Sequence, residues 1–382
     1  MIRSRHVLVP FGTRPEVVKL APVVAALEAA GHRVTAVDTG QHADAAMGAG
    51  LQETLGLRPA ERFVLPTAGP ARTGALHADA AAAVARHAPE VVLALGDTAT
   101  VPAYALAARA AGVPFAHLEA GLRSFNMRSV EEVNRRMAAA VAQLHFAPTR
   151  RAAAFLAGEG VPAERVVVVG NPVIDTLVSR GVRPCPPAER RGVLVTAHRP
   201  TNVDDPVRLG RLVEVVRGLA DRVGPVLFPV HPRTAARLAA TGLDARLRHP
   251  GVTTTGPLEL DALLAALASS VLAVTDSGGI QEEAAYLGVP VVVLRSSTPR
   301  WEGVEAGTTS LAGLAGPGAA TTVLDAALAH ASPEGQARAV ALACPYGDGT
   351  TGARVAAVLA DPATDALLAL DEPDFTDGRL PW

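Results

Sequence analysis

A chain of 382 residues is too long for one ordinary hydrophobic core, so two domains are expected. Its 35 basic and 37 acidic residues give a net charge of −2, which excludes the basic excess of a nucleic-acid binder but allows a local basic pocket. The two cysteines, Cys185 and Cys344, flank prolines without metal-ligand spacing. No disulfide framework is therefore expected, a reducing cytoplasm fits, and no apolar run reaches membrane-spanning length or the pattern of a signal peptide.

Short β-branched runs alternate with alanine-rich amphipathic stretches. HVLVPF (6–11) reads as a strand ending at Gly12, and a helix then opens with Pro15 in its first turn and stops at Gly31. Val17, Leu20, Val24 and Leu27 fall on one face of that helix. RVTAVDTG (33–40), EVVLALGD (90–97), VPFAHLEAG (113–121) and QLHFAPT (143–149) read as further strands, each running into a helix. Continuous apolar strands separated by helices predict a parallel sheet covered on both faces. A proline-rich break, SRGVRPCPPAERRG (179–192), interrupts the pattern. It then resumes with GVLVTAH (192–198), GPVLFPVHP (224–232), GVTTTG (251–256), SVLAVTDSGG (270–279) and VPVVVLR (289–295).

The expected fold is α/β: two Rossmann-like, doubly wound parallel-sheet domains facing a cleft. The boundaries read as 1–178, a hinge at 179–190, a second domain at 191–360 and a tail at 361–382. Ligands of such sheets bind beyond the carboxyl ends of the strands, which is where the polar clusters of this chain fall.

TDSGGIQEEAAYLGVPVVVLR (275–295) is the sharpest of those clusters. Ser277, Gly278 and Gly279 stand between an apolar strand and a helix, where bare N–H groups and a partial positive charge suit a diphosphate. Glu282 and Glu283 follow, and a carboxylate there can accept ribose hydroxyls. An isolated SGG would read as an ordinary strand–helix turn; the acidic motif WEGVEAGT (301–308), one strand later, tips the reading toward a ligand site. In GTRPEVVK (12–19), Arg14 and Lys19 can reach a phosphate, although alone that stretch reads as a capped helix start with two solvated cations. Asp97, Glu119 and Glu131 lie near strand ends of the first half. Capping accounts for Asp97 and a surface helix start for Glu131, whereas Glu119, ending an apolar strand before a glycine, resists such an explanation. His198 and Arg199 end a strand of the second half, where a histidine can move protons and an arginine can grip phosphate. A lone histidine is more often structural, and the same holds for His42 and His231. No metal-ligand spacing is present, so neither a metal nor another cofactor is expected.

Taken in order, GTRPE, DTGQH, GDT, HLEAGLRSF, EEVNRR, HFAPT, VGNPVID, TAHR with NVDD, PVHPRT, TDSGGIQEEAAYLGVPVV and EGVEAGT resemble the UDP-N-acetylglucosamine 2-epimerase family. The similarity runs on to CPYGDGTTGARV (344–355), almost the whole chain. The resemblance implies a glycosyltransferase-B-type fold, a C-terminal segment packed back on the first domain, a homodimer, and a UDP-hexosamine-like substrate with no nucleic acid or membrane partner. By the same resemblance, Asp97, Glu119, Glu131 and His198 match catalytic positions. Arg14, Lys19, Arg135, Arg199, Ser277, Gly278, Gly279, Glu283 and Arg300 match positions that hold substrate or UDP, and Gln41, His42 and His231 match a regulatory or sugar-side site.

The expected reaction is interconversion of UDP-N-acetylglucosamine and UDP-N-acetylmannosamine through a glucal. The alternatives are a hydrolysing epimerase, a lyase or epimerase acting on another nucleotide sugar or a nucleoside-like substrate, a glycosyltransferase of the same fold, and a non-catalytic nucleotide-sugar sensor. The chain departs from the family pattern at Val130 and Trp301, where proline is usual, and at Asn126 and Met127, where an acidic and a basic residue are usual. It departs again at Pro200-Thr201, where a glutamate is usual, and at Cys344, where asparagine is common. The nucleotide side keeps the pattern and the sugar-side loops do not.

Overall fold

The computed structural model describes residues 3–41, 45–66 and 69–370. The described residues fall into two compact units, one drawn from 1–121, 127–169 and 352–382, the other from 122–126 and 170–351. The sequence reading drew the division at 178–190 and again at 360.

The first unit holds a seven-stranded parallel sheet. Its strands are β1 (His6–Phe11), β2 (Arg33–Asp38), β3 (Glu61–Arg62), β4 (Val91–Leu95), β5 (Phe115–Leu118), β6 (Leu144–Ala147) and β7 (Val166–Val168), in the order β3-β2-β1-β4-β5-β6-β7. The second unit holds a six-stranded parallel sheet of β8 (Val193–Thr196), β9 (Val226–Pro229), β10 (Val252–Thr255), β11 (Leu272–Thr275), β12 (Val291–Val293) and β13 (Thr309–Leu311), in the order β10-β9-β8-β11-β12-β13. Both follow the dinucleotide-fold order, so the order reverses between β1 and β4 in one sheet and between β8 and β11 in the other.

Two-sided burial explains why these strands are continuously apolar. In the second unit Val193, Val195, Leu272, Val274 and Val292 join the core beneath the helices Pro206–Arg222 and Ala319–Ala331. The residues between them, Leu194, Ala273, Val291 and Val293, join the opposite core with Leu264, Leu267, Ile280 and Ala284. Successive side chains of a strand point to opposite faces, so each strand feeds both cores.

The helix Thr351–Ala360 packs against Arg14–Ala29, so residues 352–370 belong with the first unit; the rest of the expected tail, 371–382, lies outside the described residues. At Gly352 a Cβ would stand 2.8 Å from the Pro22 carbonyl oxygen and 3.1 Å from Ala26 Cβ, so only glycine allows this approach. Arg5 Nε donates to the Leu359 carbonyl at 2.6 Å, and the Arg3 N–H donates to Ala360 at 3.0 Å. Among the described residues no helix is long and apolar enough to cross a membrane.

Candidate active site

At the switch point of the first sheet, the loops after β1, β4 and β5 carry Thr13-Arg14-Pro15-Glu16, Gly96-Asp97-Thr98 and Glu119-Ala120-Gly121. Thr13 caps the helix Arg14–Ala29, and Glu16, three residues on, turns back on the loop. One Glu16 oxygen accepts the Gly12 and Thr13 N–H groups at 2.9 and 2.8 Å; the other accepts the Thr98 hydroxyl at 2.7 Å. Glu16 thus fastens the β1 loop to the β4 loop. Burial pushes its carboxyl up to about 7 against these stabilising hydrogen bonds.

Lys19, one turn further along the helix, is buried and pairs with Glu119 at 2.5 Å. Glu119 itself has φ +64, a left-handed conformation that side chains of its size rarely adopt. Its carboxylate crosses to the β4 loop, where a Cβ on Gly96 would stand 3.2 Å from Glu119 Oε2. Backbone strain of this kind is retained where a side chain must be aimed.

The helix Val130–Val141 holds Asp97 in place. Arg135 pairs with the Asp97 carboxylate, and Asn134 Nδ2 donates to the Asp97 carbonyl at 2.8 Å. Fully buried Glu132 steadies this arrangement, bonding Arg135 at 2.8 Å and Arg136 at 3.2 Å. Glu131, at the start of the helix and partly exposed, accepts the Ser129 hydroxyl. Arg14 occupies the first helical position after Thr13 and is partly exposed. Gln41 donates to the Thr100 hydroxyl beside Gly12, and its carbonyl accepts from Arg72. His42 lies outside the described residues.

The second unit is organised around Asp276, which directly follows β11 and is fully buried. Its oxygens accept the His198 N–H at 3.1 Å, the Arg199 N–H at 2.9 Å and Asn202 Nδ2 at 3.0 Å, tying the loop after β8 to the loop after β11. His198 Nδ1 lies 3.2 Å from Asp276 Oδ1, which leaves Nε2 for proton traffic. Burial opposes ionisation of Asp276, but the bonds from His198, Arg199 and Asn202 together outweigh it and hold the carboxyl below its usual range. Arg199 Nε donates to the Asp276 carbonyl at 3.0 Å. His231 stacks on His198 at a tilt, with ring centroids 5.5 Å apart, and its Nδ1 accepts the Arg233 N–H at 3.2 Å. Burial and then the neighbouring His198 and Arg233 lower its basicity.

The helix Gly278–Leu287 begins next, with Ser277 as its N-cap. The Ser277 side chain makes no capping hydrogen bond, so the first-turn amides keep their anion-binding character. The Arg300 guanidinium lies on this turn. A Cβ on Gly278 would come within 2.7 Å of Arg300 Nη1 and 2.9 Å of its Cζ. Arg300 is held there by Glu282, whose Oε1 accepts its Nε and Nη2 at 2.9 Å each and Asn171 Nδ2 at 2.9 Å. Glu282 is therefore committed to the arginine. Glu283 reaches back toward Gly279, where a Cβ would stand 3.9 Å from Glu283 Oε1. That places a carboxylate over the first turn.

Several residues that build these clusters are not singled out by the sequence patterns: Glu16, Thr98, Asn134 and Glu132 in the first unit, and Asp276, Asn202 and Asn171 in the second. Thr13-x-x-Glu16 carries the signature of a capping box, and Asp276, like Glu119, is an acid ending an apolar strand; both signals were readable. Asn134 and Asn171 gave no local signal, because their partners lie 37 and 111 residues away. Among the described residues no group of His, Cys, Asp and Glu is arranged to hold a metal.

The fold and these clusters have close counterparts. A family model described as UDP-N-acetylglucosamine 2-epimerase matches residues 25–360. A probable UDP-N-acetylglucosamine 2-epimerase of Ralstonia solanacearum is 36% identical, across 92% of this chain and 97% of its own length. A UDP-2,3-diacetamido-2,3-dideoxy-D-glucuronate 2-epimerase of Pseudomonas aeruginosa is 38% identical, across 81% and 88%. Among solved structures, the Methanocaldococcus jannaschii UDP-GlcNAc 2-epimerase in complex with UDP-GlcNAc and UDP matches with a TM-score of 0.81 at 30% identity, covering 93% of this chain and 99% of that one. The two parallel-sheet α/β domains are those of such glycosyltransferase-B-like enzymes, and the chain belongs to the UDP-N-acetylglucosamine 2-epimerase family.

Proposed function

We propose that this protein epimerises UDP-N-acetylglucosamine at C2, giving UDP-N-acetylmannosamine. The observation that carries the reading is the set of acidic groups at one switch point: Asp97 held by Arg135 and Asn134, Glu119 held by Lys19, and Glu131 at the adjoining helix start. Relatives of this family act on UDP-GlcNAc, which supports the assignment.

The chemistry explains the need for several acids. The C2 hydrogen of an N-acetylhexosamine is not acidic, because its carbon is not next to a carbonyl carbon. Departure of UDP with the C1–O electron pair builds positive charge at C1 and acidifies C2–H. A carboxylate then takes that proton, and the C–H pair becomes the C1–C2 double bond of 2-acetamidoglucal. Return of a proton to the opposite face of C2, with UDP re-added at C1, inverts the centre. Proton handling on two faces calls for at least two groups, and Asp97, Glu119 and Glu131 supply them. The helix start at Gly278-Gly279, with Arg300 across it, stabilises the departing diphosphate, joined by Arg199. Glu283 receives the ribose hydroxyls, and His198, oriented by Asp276, exchanges a proton with the leaving group. In this reading Lys19 and Arg135 act chiefly by aiming Glu119 and Asp97. The enzyme works in the cytoplasm as a homodimer.

Incubation of the protein with UDP-GlcNAc in deuterated water, followed by proton NMR, tests this. Deuterium at C2 of both epimers, with UDP still attached, is the expected result. Free sugar with released UDP would indicate a hydrolysing enzyme, and no exchange in any UDP-hexosamine would reject the function.

A further inference from the structure

The ladder between β4 and β5 ends where the Gly96 N–H meets the Leu118 carbonyl at 2.9 Å, so Asp97 and Glu119 are each the first residue beyond it. The sheet brings the two acids side by side but does not fix how their loops continue. Arg135 and Asn134 hold Asp97 from the helix Val130–Val141. A further fastening reaches both loops from one place, the first turns of the helix Arg14–Ala29. Glu16 and Lys19, three residues apart on one face of that helix, are both buried. Lys19 takes Glu119 at 2.5 Å. Glu16 Oε1 accepts the hydroxyl of Thr98, the residue after Asp97, at 2.7 Å, while Oε2 is anchored by the Gly12 and Thr13 N–H groups at 2.9 and 2.8 Å. Between these two fastenings the loops touch: Gly96 has φ +81, and a Cβ on it would stand 3.2 Å from Glu119 Oε2. All of these residues belong to the first unit.

We propose that Glu16 is a positioning residue for the reaction: with Lys19 it sets the spacing of Asp97 and Glu119, reaching Asp97 through Thr98. This rests on the epimerase reading above, in which carboxylates of this cluster work on both faces of one carbon. Glu16 is 3% exposed, so it acts through its neighbours rather than by touching the substrate. A misplacement of about 1 Å in a reacting group can cost on the order of 10² in rate. Loss of the Thr98 bond therefore falls on turnover, whereas the nucleotide, held by other residues, binds as before.

The test measures kcat and KM for C2 exchange of UDP-GlcNAc, and Kd for UDP by calorimetry, in wild type, Thr98→Val, Thr98→Ser, Glu16→Gln and Glu16→Ala. Valine keeps the shape of threonine and loses only the hydroxyl. Thr98→Val should lower kcat about tenfold or more while KM and the UDP Kd stay within about twofold, and Thr98→Ser should recover most of the loss. Glu16→Gln, which can keep all three bonds, should lose less than Glu16→Ala. Should Glu16→Ala fail to fold, the Thr98 pair still decides. A valine variant that turns over like wild type, a serine variant no better than valine, or a loss that falls on UDP affinity instead of kcat overturns the proposal. Crystal structures of wild type and Thr98→Val read the spacing directly: Asp97 should shift relative to Glu119, and an unchanged spacing also overturns it. That comparison holds even if no UDP-hexosamine exchanges at C2, a result that would reject the epimerase reading by itself.

Discussion

Replacing Glu16 by glutamine isolates one buried carboxyl. In the folded protein this group titrates at about 7, against an ordinary value of 4.5, because burial disfavours its charged form. Between pH 4.5 and about 7 the unfolded chain has released the proton while the folded chain still holds it, so stability falls as pH rises across that window. At about 1.4 kcal/mol per pH unit the loss is on the order of 3 kcal/mol. Glutamine mimics the protonated acid: its carbonyl can accept the Gly12 and Thr13 N–H groups, and its amide can donate to Thr98 Oγ1. All other titrating groups are common to both proteins and cancel. Urea unfolding of wild type and Glu16→Gln at pH 4 and pH 8 should show the variant gaining, relative to wild type, on the order of 3 kcal/mol between the two conditions. A difference between the proteins that stays constant with pH would refute the claim that this carboxyl is strained by burial. Glu16→Ala, which removes all three bonds, should be destabilised at both pH values, by roughly 1 kcal/mol or more from the lost cap alone.

Gly278→Ala should weaken UDP binding by about 1.5–3 kcal/mol, because the new Cβ pushes Arg300 away from Glu282; calorimetry showing an unchanged Kd would remove Arg300 from the diphosphate site. Gly279→Ala meets only Glu283 at 3.9 Å, so any loss of affinity there reports crowding by the ligand itself. Asp97→Asn and Glu119→Gln should each lower kcat by roughly 10²–10⁴ while leaving UDP affinity nearly unchanged, and a variant that mainly loses affinity would contradict the role of its carboxylate. Gly121→Ala should destabilise the first unit by about 3 kcal/mol or more, read as a lowered Tm: φ is +83, and the added Cβ would stand 2.8 Å from the Ala152 carbonyl carbon and 2.9 Å from Leu156 Cγ.

The central strands were legible in the sequence because burial on both faces demands unbroken apolar runs, as in HVLVPF and SVLAVT. The edge strands β3 and β13 were not: they are two or three residues long and partly exposed, so they leave no such run. Motif order likewise gave the two-domain parallel-sheet class and the acids at the strand ends. It could not say what each charge faces, since that depends on partners far along the chain. Lys19, which the sequence offers to a phosphate, stands against Glu119; Arg135, which the family resemblance sets among the substrate-holding positions, stands against Asp97; and Glu282 is taken by Arg300 and Asn171. Local sequence sets which residues end a strand or open a helix; only tertiary packing decides which of them neutralise one another and which are left to meet a substrate.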